Sequence, residues 1–158
     1  VRAWRDTMAG RWPRSPLMTV RIPSVFVPGL VSTDEHLLTV WSTYQPARLA
    51  EGSWDGAREE VGENIIGILD EYFPGYRDSI VDWSLQTPED IEARTWMTDG
   101  NIHHIDATPD QLGRQPYRSQ ITGLYLCGSG THPGGEITGA PGHNCAHAIL
   151  SDIARPAG

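Results

Sequence analysis

The sequence predicts an α/β fold, because strand-like and helical patterns alternate along the chain and recur around a glycine-dense segment near its end. Residues 37–44 are rich in β-branched and aromatic side chains, as strands are. Residues 55–73 repeat apolar side chains at helical spacing, and residues 79–86 alternate apolar with polar side chains. A strand predicted at 124–127 and a helix predicted at about 142–154 enclose the glycine-dense segment.

The composition narrows the classes of function before any motif is considered. All 12 basic residues are arginine, which excludes a Schiff-base or P-loop lysine from this chain. The net charge of −8 disfavours a nucleic-acid partner, whose binding surface is usually basic. No apolar run approaches the roughly 18 residues that cross a bilayer. Cys127 and Cys145 form no redox motif, and each is expected to be a small buried residue. The expected compartment is therefore the reducing cytoplasm.

The first third of the chain is predicted to hold little regular structure apart from one good strand. Residues 1–16 are predicted to be irregular, since Pro13 and Pro16 interrupt them. Residues 17–31 mix β-branched residues with proline and glycine, which indicates short edge strands or loops. The strand predicted at 37–44 follows this stretch.

The helix predicted over 55–73 is the clearest element of the sequence. Asp55 is the expected N-cap, and Pro74 with Gly75 is expected to end the helix. Its expected apolar stripe consists of Val61, Ile65, Ile68, Leu69 and Tyr72.

A half-buried strand and a short helix are predicted next. Residues 79–86 would turn Val81, Trp83 and Leu85 to one face of a sheet. Thr87 is the expected N-cap of the short helix, with Pro88 at its first position and two acidic residues in its first turn. The composition then shifts near residue 98 to loops, which is the predicted domain boundary.

Seven of the 17 glycines lie between Gly123 and Gly142. Glycines allow a backbone to approach a flat ligand closely, and a helix N-terminus favours an anionic or carbonyl-rich ligand edge. A tight turn packed against a sheet is the alternative interpretation. The helix that follows has an expected apolar stripe of Ala146, Ile149, Leu150 and Ile153.

The segment from Gly123 to Ala146 reads GLYLCGSGTHPGGEITGAPGHNCA. It resembles the C-terminal flavin-binding signature of the phytoene-desaturase-like carotenoid oxidoreductases. Further segments resemble the same family: the helix from Trp54-Asp55 to Phe73-Pro74-Gly75, Pro88-Glu89-Asp90-Ile91-Glu92, Gly100-Asn101-Ile102-His103-His104 and Asp110-Gln111-Leu112. The resemblance covers roughly residues 17–155 and is strongest in the last part.

The resemblance implies the C-terminal portion of a glutathione-reductase-like FAD-binding fold together with part of a mixed-sheet substrate domain. Residues 1–16 would be an N-terminal segment, 17–97 part of the substrate domain and 98–158 part of the FAD-binding domain. The implied cofactor is FAD. The residues implied to line it are Gly128, Ser129, Pro133, Gly134, Gly135, Gly139, Ala140, Gly142, His143 and Asn144.

Three residues are candidates for catalysis. His104 matches a histidine of the family, whereas His103 stands where the family usually has phenylalanine. Glu136 stands where the family usually has a small residue. Each is either a general base or specificity residue near the flavin, or a solvated surface residue, and the sequence leaves both interpretations open.

The chain contains no GxGxxG motif, which a Rossmann-type flavin site needs for the adenosine half of FAD. The expected function is therefore a subunit or fragment of an FAD-dependent oxidoreductase of the dehydrogenase, desaturase or oxidase type. A partner chain would supply the N-terminal half, and the substrate would be a small molecule. A truncated or cleaved longer chain is the alternative origin.

Two other functions remain open. A binding or scaffold module could keep the fold without redox chemistry. A metal site could use His143 and His147, which are four residues apart with Cys145 between them, although no further ligand stands at a recognised spacing. No metal is predicted.

Overall fold

The computed structural model of the protein describes residues 1–32, 34–104, 116–134 and 137–154. In chain order, its elements are α1 (Arg2–Met8), β1 (Leu17–Arg21), β2 (Thr39–Thr43), α2 (Trp54–Tyr72), α3 (Tyr76–Ser79), α4 (Pro88–Thr95) and α5 (Ala140–Ile153). This mixture confirms the α/β class, while the glutathione-reductase-like fold stays a prediction. Over the described ranges, no helix has both the length and the apolar character needed to cross a membrane.

The chain divides into two compact units, Val1–Gly100 and Asn101–Gly158. The first unit contains α1 to α4 and both strands, and the second contains α5. The assignment of these units to a substrate domain and a flavin domain stays a prediction.

The prediction that residues 1–16 are irregular is wrong for Arg2–Met8, which forms α1. The prolines behind that prediction lie beyond the end of the helix and leave its hydrogen bonds intact. The Thr7 hydroxyl bonds to Ala3 O at 3.0 Å and also to Tyr44 O, just after β2. The bond to Tyr44 holds α1 beside the end of the sheet.

The sheet consists of two antiparallel strands, with Leu17 opposite Thr43 and Arg21 opposite Thr39. The strand predicted at 37–44 is thereby confirmed with slightly shorter bounds, and β1 is one of the short strands expected within 17–31. In the described part of the chain, neither outer edge of the pair has a further strand beside it. A pair of strands alone is marginally stable in water, so the first unit depends on packing elsewhere.

Helix α2 confirms the predicted helix, but Ser53 rather than Asp55 is its N-cap. Ser53 Oγ accepts a hydrogen bond from Gly56 N at 3.1 Å. Asp55 lies inside the first turn and forms a 2.8 Å ion pair with Arg58. Ser53 and Asp55 stand two positions apart and are both favourable N-cap residues, so sequence alone does not distinguish them.

The buried face of α2 differs in part from the predicted stripe. Tyr72 is exposed, and Ile65 and Ile68 are only half-buried. The residues that are buried are Trp54, Val61, Gly62, Ile66 and Leu69. The Trp54 indole N–H also donates to Pro46 O at 3.1 Å, which anchors the start of the helix to the preceding loop.

The strand predicted at 79–86 is wrong. Helix α3 ends at Ser79, and the residues that follow form neither helix nor strand. Trp83 packs across α2 at Gly62, and Val81 is exposed. Alternating side chains indicate extended backbone, but a strand also needs a hydrogen-bonded neighbour. No strand of the described chain pairs with this segment.

Helix α4 confirms its predicted start. Thr87 Oγ1 accepts a hydrogen bond from Asp90 N at 3.2 Å, and the Asp90 carboxylate accepts one from Thr87 N at 2.7 Å. Arg58 of α2 donates to the same carboxylate at 2.7 and 3.1 Å. The hydrogen bonds from Arg58, and to a smaller extent that from the Thr87 backbone, hold the pKa of Asp90 well below its usual range. One carboxylate therefore caps α4 and joins it to α2.

The strand predicted at 124–127 is also wrong. Residues 117–126 form a hairpin-like turn with an isolated antiparallel bridge between Arg118 and Tyr125. Leu126 N donates to Tyr117 O at 2.8 Å. Leu124 and Leu126 are exposed, contrary to the expectation of a buried strand. We call residues 117–126 the hairpin.

Helix α5 confirms the predicted last helix and begins two residues earlier than expected, after Gly139. Of its predicted apolar stripe, Leu150 and Ile153 are exposed. The buried residues are Pro141, Cys145 and Ala148. Helical spacing identified an apolar face, but the described part of this chain packs against a different side of the helix.

Candidate functional site

The glycine segment, residues 128–139, leads into α5, and its described residues are 128–134 and 137–139. Thr131 is buried, and both its N–H and its hydroxyl bond to Gly128 O, at 3.0 and 2.8 Å. This pair of bonds closes a tight turn. Gly134 has φ +109° and Gly139 has φ +69°, which is backbone that favours glycine.

Gly128 and Gly142 have no such conformational reason to be glycine. Neither has a left-handed φ, and a Cβ added at either would meet no described atom within 4 Å. Glycine near a helix start is less favourable than alanine by up to about 1 kcal/mol. Close approach by a ligand or another chain is a physical reason that would favour glycine at both positions.

The first turn of α5 presents hydrogen-bond donors and the positive end of the helix dipole. Ala140 N donates to Thr138 Oγ1 at 3.2 Å, and His143 N donates to Gly139 O at 3.0 Å. Pro141 has no N–H. Within the described ranges, no acceptor is found for the Gly142 N–H.

A hydrogen-bonded network joins the hairpin, the glycine segment and α5. Asn144 Nδ2 donates to the Tyr117 hydroxyl at 3.0 Å, and that hydroxyl donates to His132 O. Asn144 was predicted to lie at the flavin, whereas Tyr117 was missed. No spacing pattern distinguishes Tyr117 from an ordinary loop tyrosine, so the sequence carried no signal for it.

A second cluster joins the hairpin to the far end of α5. Arg118 forms two hydrogen bonds to the Asp152 carboxylate, at 2.7 and 3.0 Å. The Tyr125 hydroxyl donates to the same carboxylate at 2.9 Å, and this bond raises the pKa of Tyr125. The hairpin is therefore tied to α5 near both of its ends.

His103 and His104 lie in an exposed turn that begins at Asn101. Asn101 accepts from His103 N through its side chain and from His104 N through its carbonyl. A Cβ added at Gly130 would lie 3.5 Å from the His104 Cβ, so His104 lies beside the glycine segment.

The other predicted site residues belong to the glycine segment and to the start of α5. Gly128 and Ser129 lie in the tight turn, Pro133 follows a cis peptide bond, and Gly134 is buried. Gly139, Ala140, Gly142, His143 and Asn144 surround the start of α5. Gly135 and Glu136 lie outside the described residues.

The histidine and cysteine side chains of this region are arranged without a metal-binding cluster in the described ranges. The rings of His143 and His147 lie 4.5 Å apart at a tilt of 59°. Cys145 is buried as expected, and burial raises the pKa of its thiol. Cys127 is exposed, so the expectation that it is buried is wrong. The strand predicted to contain it does not form.

The chain is similar to several proteins with oxidoreductase names. It is 34% identical over 160 residues to the rat pyridine nucleotide-disulfide oxidoreductase domain-containing protein 2, covering 96% of this chain and 28% of that protein. It is 30% identical over 117 residues to a limonene dehydrogenase subunit of Castellaniella defragrans, covering 68% and 21%. It is 31% identical over 106 residues to the lycopene-forming phytoene desaturase of Pantoea ananas, covering 63% and 22%.

These similarities support a relationship to flavin-oxidoreductase-type proteins, which confirms the broad part of the resemblance. The chain spans 28% of the length of the first relatives it matches. No family model and no solved structure matches it.

Proposed function

We propose that this chain forms part of an FAD-dependent oxidoreductase and closes the flavin site against a polypeptide that carries the GxGxxG half. The observation that carries the proposal is Gly142. Neither the backbone conformation at this position nor the packing of the described residues requires a glycine there. The oxidoreductase names of the relatives add independent support.

The residues proposed to hold FAD fit that group chemically. At Gly128, Gly139 and Gly142 no Cβ would obstruct a flat ligand that approaches the backbone. The Gly142 N–H and the dipole of α5 would stabilise negative charge beside the helix start. Bound FAD would supply the ability to accept a hydride from a substrate C–H bond. The chain's contribution is binding, orientation and charge stabilisation.

His104, His103 and Glu136 are the proposed candidates for proton transfer. His104 has the best support, because it lies beside Gly130 of the glycine segment. An imidazole can accept a proton as a general base. The relatives named as a dehydrogenase and a desaturase motivate a dehydrogenation of a small molecule as the reaction class.

A partner polypeptide is proposed because apolar side chains of the second unit are exposed. These residues are Ile121, Leu124, Leu126, Ile137, Leu150 and Ile153. In the proposed assembly the partner would cover such side chains, since large apolar patches on a surface usually mark interaction sites. The relatives are also more than three times as long as the matched region, and their additional length is a candidate source of the missing half.

Substitution of Gly142 by valine tests the proposal. We expect Gly142→Val to abolish flavin retention in the natively purified assembly, because the new side chain would occupy ligand space. The fold should persist, since no described atom lies within 4 Å of the added Cβ. Bound flavin is measured by absorbance after gel filtration, and folding by circular dichroism.

Gly67→Val in α2 is the matched control, because its added Cβ would make only an ordinary 3.8 Å contact with Arg77. This variant should keep its flavin. Full flavin occupancy in a folded Gly142→Val assembly would contradict the proposed function.

A further inference from the structure

We propose that Tyr117 is a positioning residue, whose hydroxyl holds the glycine segment in register with the first turn of α5. The inference rests on the proposed function, since it assigns to Tyr117 the alignment of two segments that would bind flavin. Tyr117 itself need not touch the cofactor. It acts through His132 and Asn144.

The Tyr117 hydroxyl uses both of its hydrogen-bonding capacities. It accepts from Asn144 Nδ2 at 3.0 Å and donates to the carbonyl of His132. A phenolic hydroxyl has one proton to donate, so this pairing satisfies its donor capacity. Because His132 lies in the glycine segment and Asn144 in α5, one atom fixes the relative position of both.

The backbone of the hairpin also restrains Tyr117. The Tyr117 carbonyl accepts from Leu126 N at 2.8 Å, and the next residue, Arg118, is bound to Asp152 of α5. The tyrosine is therefore held at its backbone as well as at its hydroxyl. A hydroxyl on an anchored ring can restrain its two partners, whereas one on a loose loop would follow them.

Tyr125 offers an internal comparison. It lies in the same hairpin, and its hydroxyl also bonds to α5, but to Asp152 in the last turn. Phenylalanine at either position removes one hydroxyl and keeps the ring. A general loss of stability would appear in both variants, whereas loss of alignment at the glycine segment would appear only in Tyr117→Phe.

The experiment compares Tyr117→Phe with Tyr125→Phe in the natively purified assembly. Amide hydrogen exchange reports on the segments themselves, and the rate of flavin dissociation reports on the proposed site. We expect Tyr117→Phe to speed exchange at residues 131–134 and to raise flavin dissociation about threefold to tenfold, the range for one lost hydrogen bond. Tyr125→Phe should speed exchange near Asp152 and leave flavin dissociation unchanged.

Asn144→Ala provides a second variant if Tyr117→Phe folds poorly. It removes the same link from the other side, so the double variant should be no worse than the more severe single variant. Exchange at residues 131–134 that matches the wild type in both single variants would overturn the inference. Faster exchange in Tyr117→Phe, with a wild-type assembly that holds no flavin, would refute the proposed function and the flavin part of the inference, and would leave Tyr117 a purely structural link.

Discussion

Gly62 of α2 lies directly against the indole of Trp83, and a Cβ at this position would lie 2.3 Å from two ring atoms. We expect Gly62→Ala to destabilise the first unit by about 1–3 kcal/mol, because the rigid ring must move away from the helix. Urea denaturation of the full chain, followed by tryptophan emission, measures this change.

Gly67 on the same helix is the matched control, because its added Cβ would be 3.8 Å from the end of the flexible Arg77 side chain. Gly67→Ala should be neutral or stabilise the chain by up to about 1 kcal/mol through helix propensity. Equal destabilisation by the two variants would show that Trp83 does not determine the need for glycine at position 62.

The cap of α4 is expected to make the stability of the folded protein depend on pH in the acid range. Arg58 and Thr87 lower the pKa of Asp90, so the folded state binds its proton less readily than the unfolded chain. The stabilisation is present above the unfolded pKa of about 3.9 and is lost as the pH falls toward the folded value. Asp90→Asn should lose about 1 kcal/mol at neutral pH, a modest value because the side chain is 39% exposed.

Denaturation of wild type and Asp90→Asn between neutral pH and pH about 3 tests this expectation, since that range spans the unfolded pKa. The variant should show a weaker fall in stability with acid. Glu59→Gln on the exposed face of α2 removes the same charge and serves as the control. An unchanged acid profile in Asp90→Asn would show that the cap carries none of the pH dependence.

The elements that sequence predicted well are those whose signals are local. Helix α4 has its cap, its proline and its acids within four residues, and α2 has a long apolar period. The strand predicted at 79–86 does not form, because a strand needs a hydrogen-bonded neighbouring strand, which local alternation does not encode. The sequence does not predict the network through Tyr117 for a similar reason. Its three members are up to 27 residues apart and share no sequence pattern.

At the scale of the molecule, the exposed apolar residues of α5 and the hairpin lead to an expectation about assembly. Native mass spectrometry of the chain purified from its own source should show a complex with a second polypeptide and the mass of FAD. Burial of Leu150 and Ile153 would provide part of the association energy.

The same measurement on Gly142→Val separates assembly from cofactor binding. The polypeptide complex should persist while the mass of FAD is lost. A wild-type monomer or homo-oligomer without flavin would contradict both the proposed partner and the proposed cofactor.

The division into two compact units also determines which unit each optical signal follows during unfolding. All six tryptophans, at positions 4, 12, 41, 54, 83 and 96, belong to Val1–Gly100, and Asn101–Gly158 contains none. Indole emission therefore follows the melting of the first unit alone, whereas backbone ellipticity also registers the unwinding of α5. Agreement between the two optical transitions would show that the units unfold cooperatively, and a gap between them would show that they unfold separately.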